Sequence, residues 1–181
     1  MTAGCRLREA TPLDAEGIAR VHIETWRATY PGLLPDRYLA QFSLRARSKS
    51  WRESIGRKSA GTVLVLEAPQ REIVGFGSCG PSRVPQPPFQ GEVYTLYLTP
   101  DWQNQGLGRR LLGGLFEELA AAGMTSAFLW VLAANPTRFF YERMGGQPVG
   151  QRMENFAGAK HEETAYGWPD LVAWIKAAQA R

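Results

Sequence analysis

One stretch of the chain constrains the fold more than any other: a strand pattern, a glycine-containing turn and an amphipathic helix follow one another directly. Residues 92–99 alternate between apolar and polar side chains as a strand does. Gly106 and Gly108 mark the turn at residues 103–108, and a stripe of leucines at helical spacing follows until Gly123. The stripe consists of Leu107, Leu111, Leu112, Leu115 and Leu119. Such a helix buries its leucines on a sheet, so we expect an α/β fold.

The turn itself has chemical properties. The first N–H groups of a helix have no intrahelical partner and lie at the positive end of its dipole, so a turn that leaves them open can bind phosphate. Arg109 and Arg110 add positive charge at the same end. The chain lacks the GxxxxGK[ST] pattern of nucleoside triphosphate sites. We therefore predict a phosphate-binding turn without a nucleotide-bound metal.

A second glycine pattern, GxGxxG at residues 75–80, has the wrong context. A dinucleotide site needs a helix to begin where the pattern ends, but Pro81 and a proline-rich segment (residues 81–90) follow. We interpret these glycines as a strand end that needs close backbone approach, and the segment after it as an exposed loop.

Composition indicates one ordinary domain. The chain has 181 residues, 44% hydrophobic and 21% charged, which is too short for two typical domains. It has no apolar run of the roughly 20 residues that span a membrane, and residues 1–8 lack the apolar core of a signal peptide. We expect a single domain over residues 1–181, a cytoplasmic location and no membrane partner.

Charge and cysteines exclude further classes. The net charge of +4 is spread along the chain, and its densest basic run, residues 45–58, lacks interleaved aromatics, so we expect a solvated helix and no nucleic-acid partner. Cys5 and Cys79 lie far apart without a CxxC or a histidine cluster, which predicts buried thiols, no disulfide and no metal site.

The remaining periodicity predicts a mixed, mostly antiparallel sheet of six to seven strands flanked by helices. Helices are expected at residues 12–30, 38–58 and 137–144 and after Pro169, and strands at residues 62–67, 72–79, 126–132, 148–156 and 163–168.

Two motifs in the chain resemble those of the GNAT superfamily of N-acetyltransferases. Gln103 to Gly108 matches the family's [Arg/Gln]-x-x-Gly-x-[Gly/Ala] core, and Asn135 followed by Phe140-Tyr141-Glu142 is similar to its second signature. The order of strands and helices agrees over nearly the whole chain. The chain departs from the family at Gly146, where Phe is more common. This difference affects the packing around residue 146.

The resemblance implies acetyl-CoA as co-substrate, held in a gap between the strand before the turn and the strand after its helix. Leu96 and Leu98 would then offer backbone contacts, and Asn135 its side-chain amide. The implied cofactor-binding residues are Leu96, Leu98, Gln103, Asn104, Gln105, Gly106, Leu107, Gly108, Arg109, Asn135 and Arg138.

Two residues are candidates for proton transfer. Tyr141 can protonate the departing sulfur, or it can simply pack against the sheet. Glu92 stands 14 residues before Gly106, the spacing of the general base in the histone-acetylating branch of the family. Water, Glu24 and His22 are the alternatives for the base.

The acceptor side is less defined. Trp26 and Tyr30 resemble the acceptor-side wall of many family members, although both could be core residues. We assign five other aromatic residues to packing: Trp51, Trp130, Phe139, Trp168 and Trp174. The C-terminal segment around Tyr166, Trp168 and Trp174 suits either a homodimer contact or a cover for its own sheet.

The functional hypothesis is transfer of an acetyl group from acetyl-CoA to a primary amine, by direct attack in a ternary complex. A small-molecule amine is favoured over a protein amine. The alternative is a non-catalytic acyl-CoA-binding regulatory module.

Overall fold

A twisted sheet of seven strands forms the centre of the computed structural model, which describes residues 4–57, 61–85 and 87–180. The strand order is β1-β2-β3-β4-β5-β7-β6, and only the β4–β5 pair is parallel. The predicted mixed, mostly antiparallel sheet is confirmed. The strands are β1 (Arg6–Glu9), β2 (Thr62–Glu67), β3 (Ile73–Pro81), β4 (Gly91–Leu98), β5 (Ala127–Leu132), β6 (Gln147–Phe156) and β7 (Ala159–Trp168).

Helices cover both faces of the sheet. They are α1 (Ala15–Thr29), α2 (Asp36–Ala40), α3 (Leu44–Ile55), α4 (Leu107–Ala121), α5 (Arg138–Arg143) and α6 (Leu171–Gln179). The first helix packs on β3 and β4, and α3 packs beside it on the same side of the sheet, which we call the α1 face. The leucine stripe of α4 packs on the opposite side, the α4 face, together with α6.

The prediction of one continuous helix over residues 38–58 is wrong, because the segment forms parts of two helices, α2 and α3. The break falls at residues 41–43, where the Ser43 hydroxyl accepts a hydrogen bond from the Ala46 N–H and begins a new helix. The predicted end at Lys58 lies outside the described residues. The exposed basic side chains of α3 fit the expected solvated helix, whereas Trp51 and Ile55 pack towards the sheet.

The last strand is longer than predicted, since β7 begins at Ala159 rather than at Glu163. It forms a long hairpin with β6 whose register runs from Gln147–Gly167 to Phe156–Ala159. Ala157 and Gly158 close the turn, both with positive φ. The first part of β7 is charged and partly exposed, so apolar periodicity did not reveal it.

The glycine-rich strand serves close packing, as predicted. β3 continues as a strand to Pro81 and no helix follows. A Cβ on Gly77 would come within 2.7 Å of Leu115 on α4, and one on Gly75 within 2.9 Å of Leu98. The dinucleotide interpretation therefore has no structural counterpart.

Two C-terminal tryptophans pack in the region of Gly146, which has no side chain. A Cβ on Gly146 would lie 2.7 Å from the ring of Trp168, and the indole N–H groups of Trp168 and Trp174 both donate to the carbonyl of Met144. Tyr166 and Trp168 are 2% exposed. This tail thus packs on its own sheet. Phe139 departs from its packing assignment, since it is 52% exposed.

No helix in the described ranges is long and apolar enough to cross a membrane. No group of three or more His, Cys, Asp or Glu side chains that could hold a metal ion occurs among the same residues. Cys5 and Cys79 are free thiols and both are buried, as expected.

Candidate active site

A gap opens between β4 and β5. Their parallel pairing is confined to Gly91–Ala127 and Glu92–Phe128, and the strands diverge beyond that point. At the other end of β4, the Thr99 N–H donates to the Val74 carbonyl of the neighbouring segment. Because backbone direction alternates along a strand, the N–H and C=O groups of Leu96 and Leu98 point to the opposite side, into the gap.

One of these backbone groups already has partners. The Leu98 carbonyl accepts hydrogen bonds from Gln103 Nε2 at 2.9 Å and from Thr25 Oγ1 at 3.4 Å. Gln103, predicted to bind a ligand, thus holds the end of β4 in place through its side chain. The Leu98 N–H and both backbone groups of Leu96 are left to face the gap.

The predicted phosphate turn directly follows. Asn104 and Gly106 have positive φ, and the side chain of Gln105 folds back to donate to the Asp101 carbonyl. The first helical hydrogen bond runs from the Arg110 N–H to the Gly106 carbonyl. The preceding amides, those of Leu107, Gly108 and Arg109, therefore have no partner within α4. Backbone amides, rather than the side chains of residues 103–105, are what this turn presents.

Of the two arginines that the sequence placed at the turn, Arg109 and Arg110, only the first has its side chain in an open groove. Arg109 lines a groove of ≈ 190 Å³ together with Arg143, which sequence reasoning missed. Arg138 begins α5, with its guanidinium 4.5 Å from the Phe139 ring. Arg110 instead turns towards the N-terminal segment and donates to the Cys5 carbonyl. It is therefore a structural residue.

Tyr141 lies on α5, which follows β5. It is 6% exposed, and its hydroxyl makes no hydrogen bond with the described part of the chain. Burial, reinforced by the nearby Tyr97, raises the pKa of Tyr141 above its usual value. The phenol is therefore fully protonated at neutral pH and has a proton to give.

Asn135 and Tyr30 meet beside the gap. Asn135 Oδ1 accepts from the Thr137 N–H, and its Nδ2 lies 3.5 Å from the Tyr30 hydroxyl. Both residues are buried, so Tyr30 is a core residue and not an open wall. Burial raises the pKa of Tyr30, with Tyr97 and Tyr141 adding to the effect, which places these three phenols in one neighbourhood.

Glu92 is at the closed end of the gap and already has a partner. Arg83, from the proline-rich loop, donates to Glu92 Oε2 from its backbone N–H and its Nε, and to Oε1 from Nη2. Glu92 is 2% exposed. The proline-rich loop therefore reaches the closed end of the gap through this ion pair.

The alternative bases are poorly placed. His22 is buried, its Nδ1 accepts from the Trp51 indole, and burial, with a smaller contribution from Arg47, lowers its pKa to about 4. Glu24 is exposed and lines a separate groove of ≈ 520 Å³ between α1 and α3, on the outer side of α1. Neither side chain faces the gap.

An aromatic wall, defined as Trp26, Tyr38, Phe42 and Phe156, bounds the other side of the gap. Trp26 contacts the rings of Phe42 and Tyr38, and Tyr38 contacts Phe156 at the tip of the β6–β7 hairpin. All four rings are partly buried. The wall joins α1 and α2 to the hairpin and covers this part of the α1 face.

Comparison with known proteins identifies the family of the chain. Residues 20–146 match the model of the acetyltransferase (GNAT) family. The chain belongs to the acetyltransferase (GNAT) family. It is 35% identical over 167 residues to YuaI, an uncharacterized N-acetyltransferase of Bacillus subtilis, and the match covers 92% of this chain and 94% of the relative.

Solved acetyltransferases share the fold of this family member. An N-acetyltransferase from Staphylococcus aureus superposes with a TM-score of 0.68 at 18% identity, covering 93% of this chain and 99% of the other. The PaiA N-acetyltransferase from Thermoplasma acidophilum, solved in complex with coenzyme A, gives 0.65 at 19% identity, covering 89% and 98%.

Proposed function

We propose that this acetyltransferase moves the acetyl group of acetyl-CoA to a primary amine on a small molecule, by direct attack in a ternary complex. The observation that carries the proposal is the β4–β5 gap, which exposes the backbone of Leu96 and ends at a turn of unpaired amides. The PaiA relative, which has the same fold, was solved with coenzyme A.

The residues present fit acetyl-CoA. The amides at the start of α4 suit a pyrophosphate, and Arg109, Arg138 and Arg143 supply charge around them. The edges of β4 and β5 can pair with the amide groups of an extended arm, as a strand would. When bound, acetyl-CoA supplies an acetyl group activated as a thioester.

Tyr141 has the role of proton donor in this proposal. Its hydroxyl is free of other hydrogen bonds within the described chain and lies on the helix that follows β5. A phenol held protonated by burial can donate to a thiolate as charge develops on sulfur. Asn135 and Tyr30 support the same region by fixing the start of α5.

Glu92 is the proposed proton acceptor, although Arg83 already binds its carboxylate. A carboxylate offers about four acceptor positions. Arg83 occupies three of those of Glu92. A proton can therefore arrive at the remaining position or after Arg83 moves away, which its 60% exposed side chain allows.

A covalent acetyl-enzyme is not part of the proposal. Cys79 is buried on β3, its thiol donates to the Leu115 carbonyl, and burial raises its pKa to about 12, with Glu118 adding to the effect. A thiol in this state is a poor nucleophile. The aromatic wall covers the acceptor side, which favours a small molecule over a protein chain.

We also propose that the protein forms a homodimer. β6 is an edge strand of the sheet, and Met153 on it is 58% exposed. An exposed edge can pair with a second copy of itself. Light scattering at micromolar protein is the test, and a monomer mass would contradict it.

The proposed function is tested by mixing protein, acetyl-CoA and a panel of primary amines while free thiol is followed. We expect thiol release that depends on the amine, with the acetylated amine detected by mass spectrometry. Calorimetric binding of acetyl-CoA without thiol release for any amine would indicate the non-catalytic acyl-CoA-binding module instead.

A further inference from the structure

Glu163, which sequence reasoning did not single out, lies on the α1 face beside the gap. It pairs across the sheet with Leu132, the last residue of β5, and cross-strand partners share a face. Leu132 packs against Tyr30 on that face. Burial is the main cause of the raised pKa of Tyr30 and of Tyr97, and the charge of Glu163 adds to it in both. The carboxylate is therefore near both phenols.

One oxygen of this carboxylate is free. Arg152 Nε and Nη2 both contact Glu163 Oε2, at 2.8 Å and 2.7 Å. Oε1 has no hydrogen-bond partner among the described residues. Glu92 differs, because Arg83 binds both of its oxygens. Of the two carboxylates, Glu163 is the one with an open oxygen for a further donor.

The surroundings of Glu163 are negative and aromatic. Glu154 lies 3.7 Å from the same guanidinium, so two carboxylates face one arginine. The guanidinium stacks 4.2 Å from the centre of the Trp130 ring, which makes Trp130 part of this patch rather than a packing residue alone. A cation is attracted both by the excess carboxylate and by the ring faces.

Two buried ring nitrogens in the same patch have no partner. Trp130 Nε1 and His161 Nε2 make no hydrogen bond with the described chain. His161 stands two residues before Glu163 on β7 and packs on Phe156 of the aromatic wall, with ring centres 4.4 Å apart. Unpaired buried polar atoms of this kind mark places where a ligand atom or an ordered water belongs.

We propose that Glu163 binds the acceptor as its ammonium form, which makes the enzyme selective for cationic primary amines whose apolar body lies against the aromatic wall. The bound ammonium passes its proton through water to the base, and the neutral amine then attacks the thioester, with the coenzyme thiolate leaving. The inference rests on the proposed function, because it names the residue that receives the acceptor of that reaction. Arg152 is a positioning residue: it fixes Oε2 and leaves Oε1 directed to the substrate.

The test compares two nucleophiles that share a phenyl ring. 2-Phenylethylamine is a cation at neutral pH, whereas benzhydrazide is neutral. Glu163→Gln should lower kcat/KM for 2-phenylethylamine by roughly 10- to 100-fold, as expected for a lost hydrogen bond between charged groups, and it should act through KM. Turnover of benzhydrazide should change by less than about twofold, since no ammonium is bound.

Calorimetry gives a second readout. Binding of 2-phenylethylamine to protein saturated with coenzyme A should weaken by the same factor in Glu163→Gln. Glu162→Gln, which changes the exposed neighbour on the opposite side of β7, is the matched control and should behave as wild type. In the double variant, Glu163→Gln with Arg152→Gln, the guanidinium that would lose its Glu163 partner is also removed. Its binding of 2-phenylethylamine should weaken by the same factor as in Glu163→Gln.

The outcomes separate the two proposals. Equal losses for both nucleophiles, or no loss with 2-phenylethylamine, would overturn the assignment of Glu163 alone. A wild-type protein that releases thiol with other amines of the panel but not with 2-phenylethylamine contradicts this inference alone, whereas no thiol release with any amine contradicts the proposed function and this inference together.

Discussion

The two sides of the β4–β5 gap are built in opposite ways. On the proposed phosphate side, one continuous segment, residues 96–110, supplies strand, turn and helix start, and the groups that it leaves open are backbone amides. On the proposed acceptor side, the candidate binding groups are side chains from segments far apart in sequence, such as Trp26, Trp130 and Glu163. The first side can be recognised as a local pattern, whereas the second exists only once the sheet is assembled.

The chemistry differs in the same way. Amides at a helix start bind any phosphate, because their direction is fixed by the backbone. Aromatic and charged side chains discriminate between ligands, because one substitution changes shape or charge. We therefore expect variants on the phosphate side to alter acetyl-CoA affinity and variants on the acceptor side to alter the choice of amine.

Tyr141 lies between the two sides and should give the largest effect. Tyr141→Phe removes one oxygen that acts only as charge develops on sulfur, so kcat should fall on the order of 10²-fold. Acetyl-CoA affinity measured by calorimetry should not change, since the hydroxyl makes no other described contact. A variant with full kcat on a verified amine would leave Tyr141 a packing residue.

Glu92 tests whether the closed end of the gap takes part in chemistry. If it accepts the proton, Glu92→Gln should lower kcat/KM by roughly 10²-fold at pH 7 and recover partly in alkali, where free amine is abundant. Arg83→Gln, which keeps the carboxylate and removes its partner, should keep the wild-type rate. An activity profile of Glu92→Gln that runs parallel to wild type at every pH would assign the proton to water.

Protonation of His22, a buried residue of α1, should make the protein less stable in mild acid. Its folded pKa of about 4 is below the unfolded value of 6.5, so the unfolded chain binds the proton first. Stability is complete above pH 6.5 and falls as pH drops towards 4, by about 2 kcal/mol between pH 7 and 5.

Urea unfolding at pH 7 and 5 measures this loss. His22→Gln keeps an acceptor for the Trp51 indole and has no such titration, so its stability should depend less on pH. An equal pH dependence in the two proteins would contradict the assignment.

The smallest effect is expected in the phosphate turn. Gly106 and Gly123 both have positive φ, at opposite ends of α4. Alanine at either position should cost about 1 kcal/mol of stability, because the left-handed region strains an L residue. Only Gly106→Ala should also weaken acetyl-CoA binding, about tenfold, since it displaces amides that bind a charged group. Equal affinities in the two variants would remove the phosphate site from this turn.

Local pattern determined most of the fold. The strand, turn and helix at residues 92–121 were predictable because each element has its own period and the glycines mark its end. The order of elements then restricted the arrangement to a mixed sheet. The break at residues 41–43 was missed because Gln41, Phe42 and Ser43 include neither glycine nor proline to mark it. The start of β7 at Ala159 was missed because its first residues are polar and charged, so apolar periodicity is weak there.

The sequence by itself determined the strand, turn and helix start of the proposed phosphate side, because adjacent residues place the backbone groups of a helix start. Tertiary structure alone decided the partners of the side chains: Arg83 on Glu92, Arg110 on Cys5, and Arg152 on Glu163. These pairs join residues on different strands, helices or loops. Their distances follow from sheet register and loop path, which no local pattern contains.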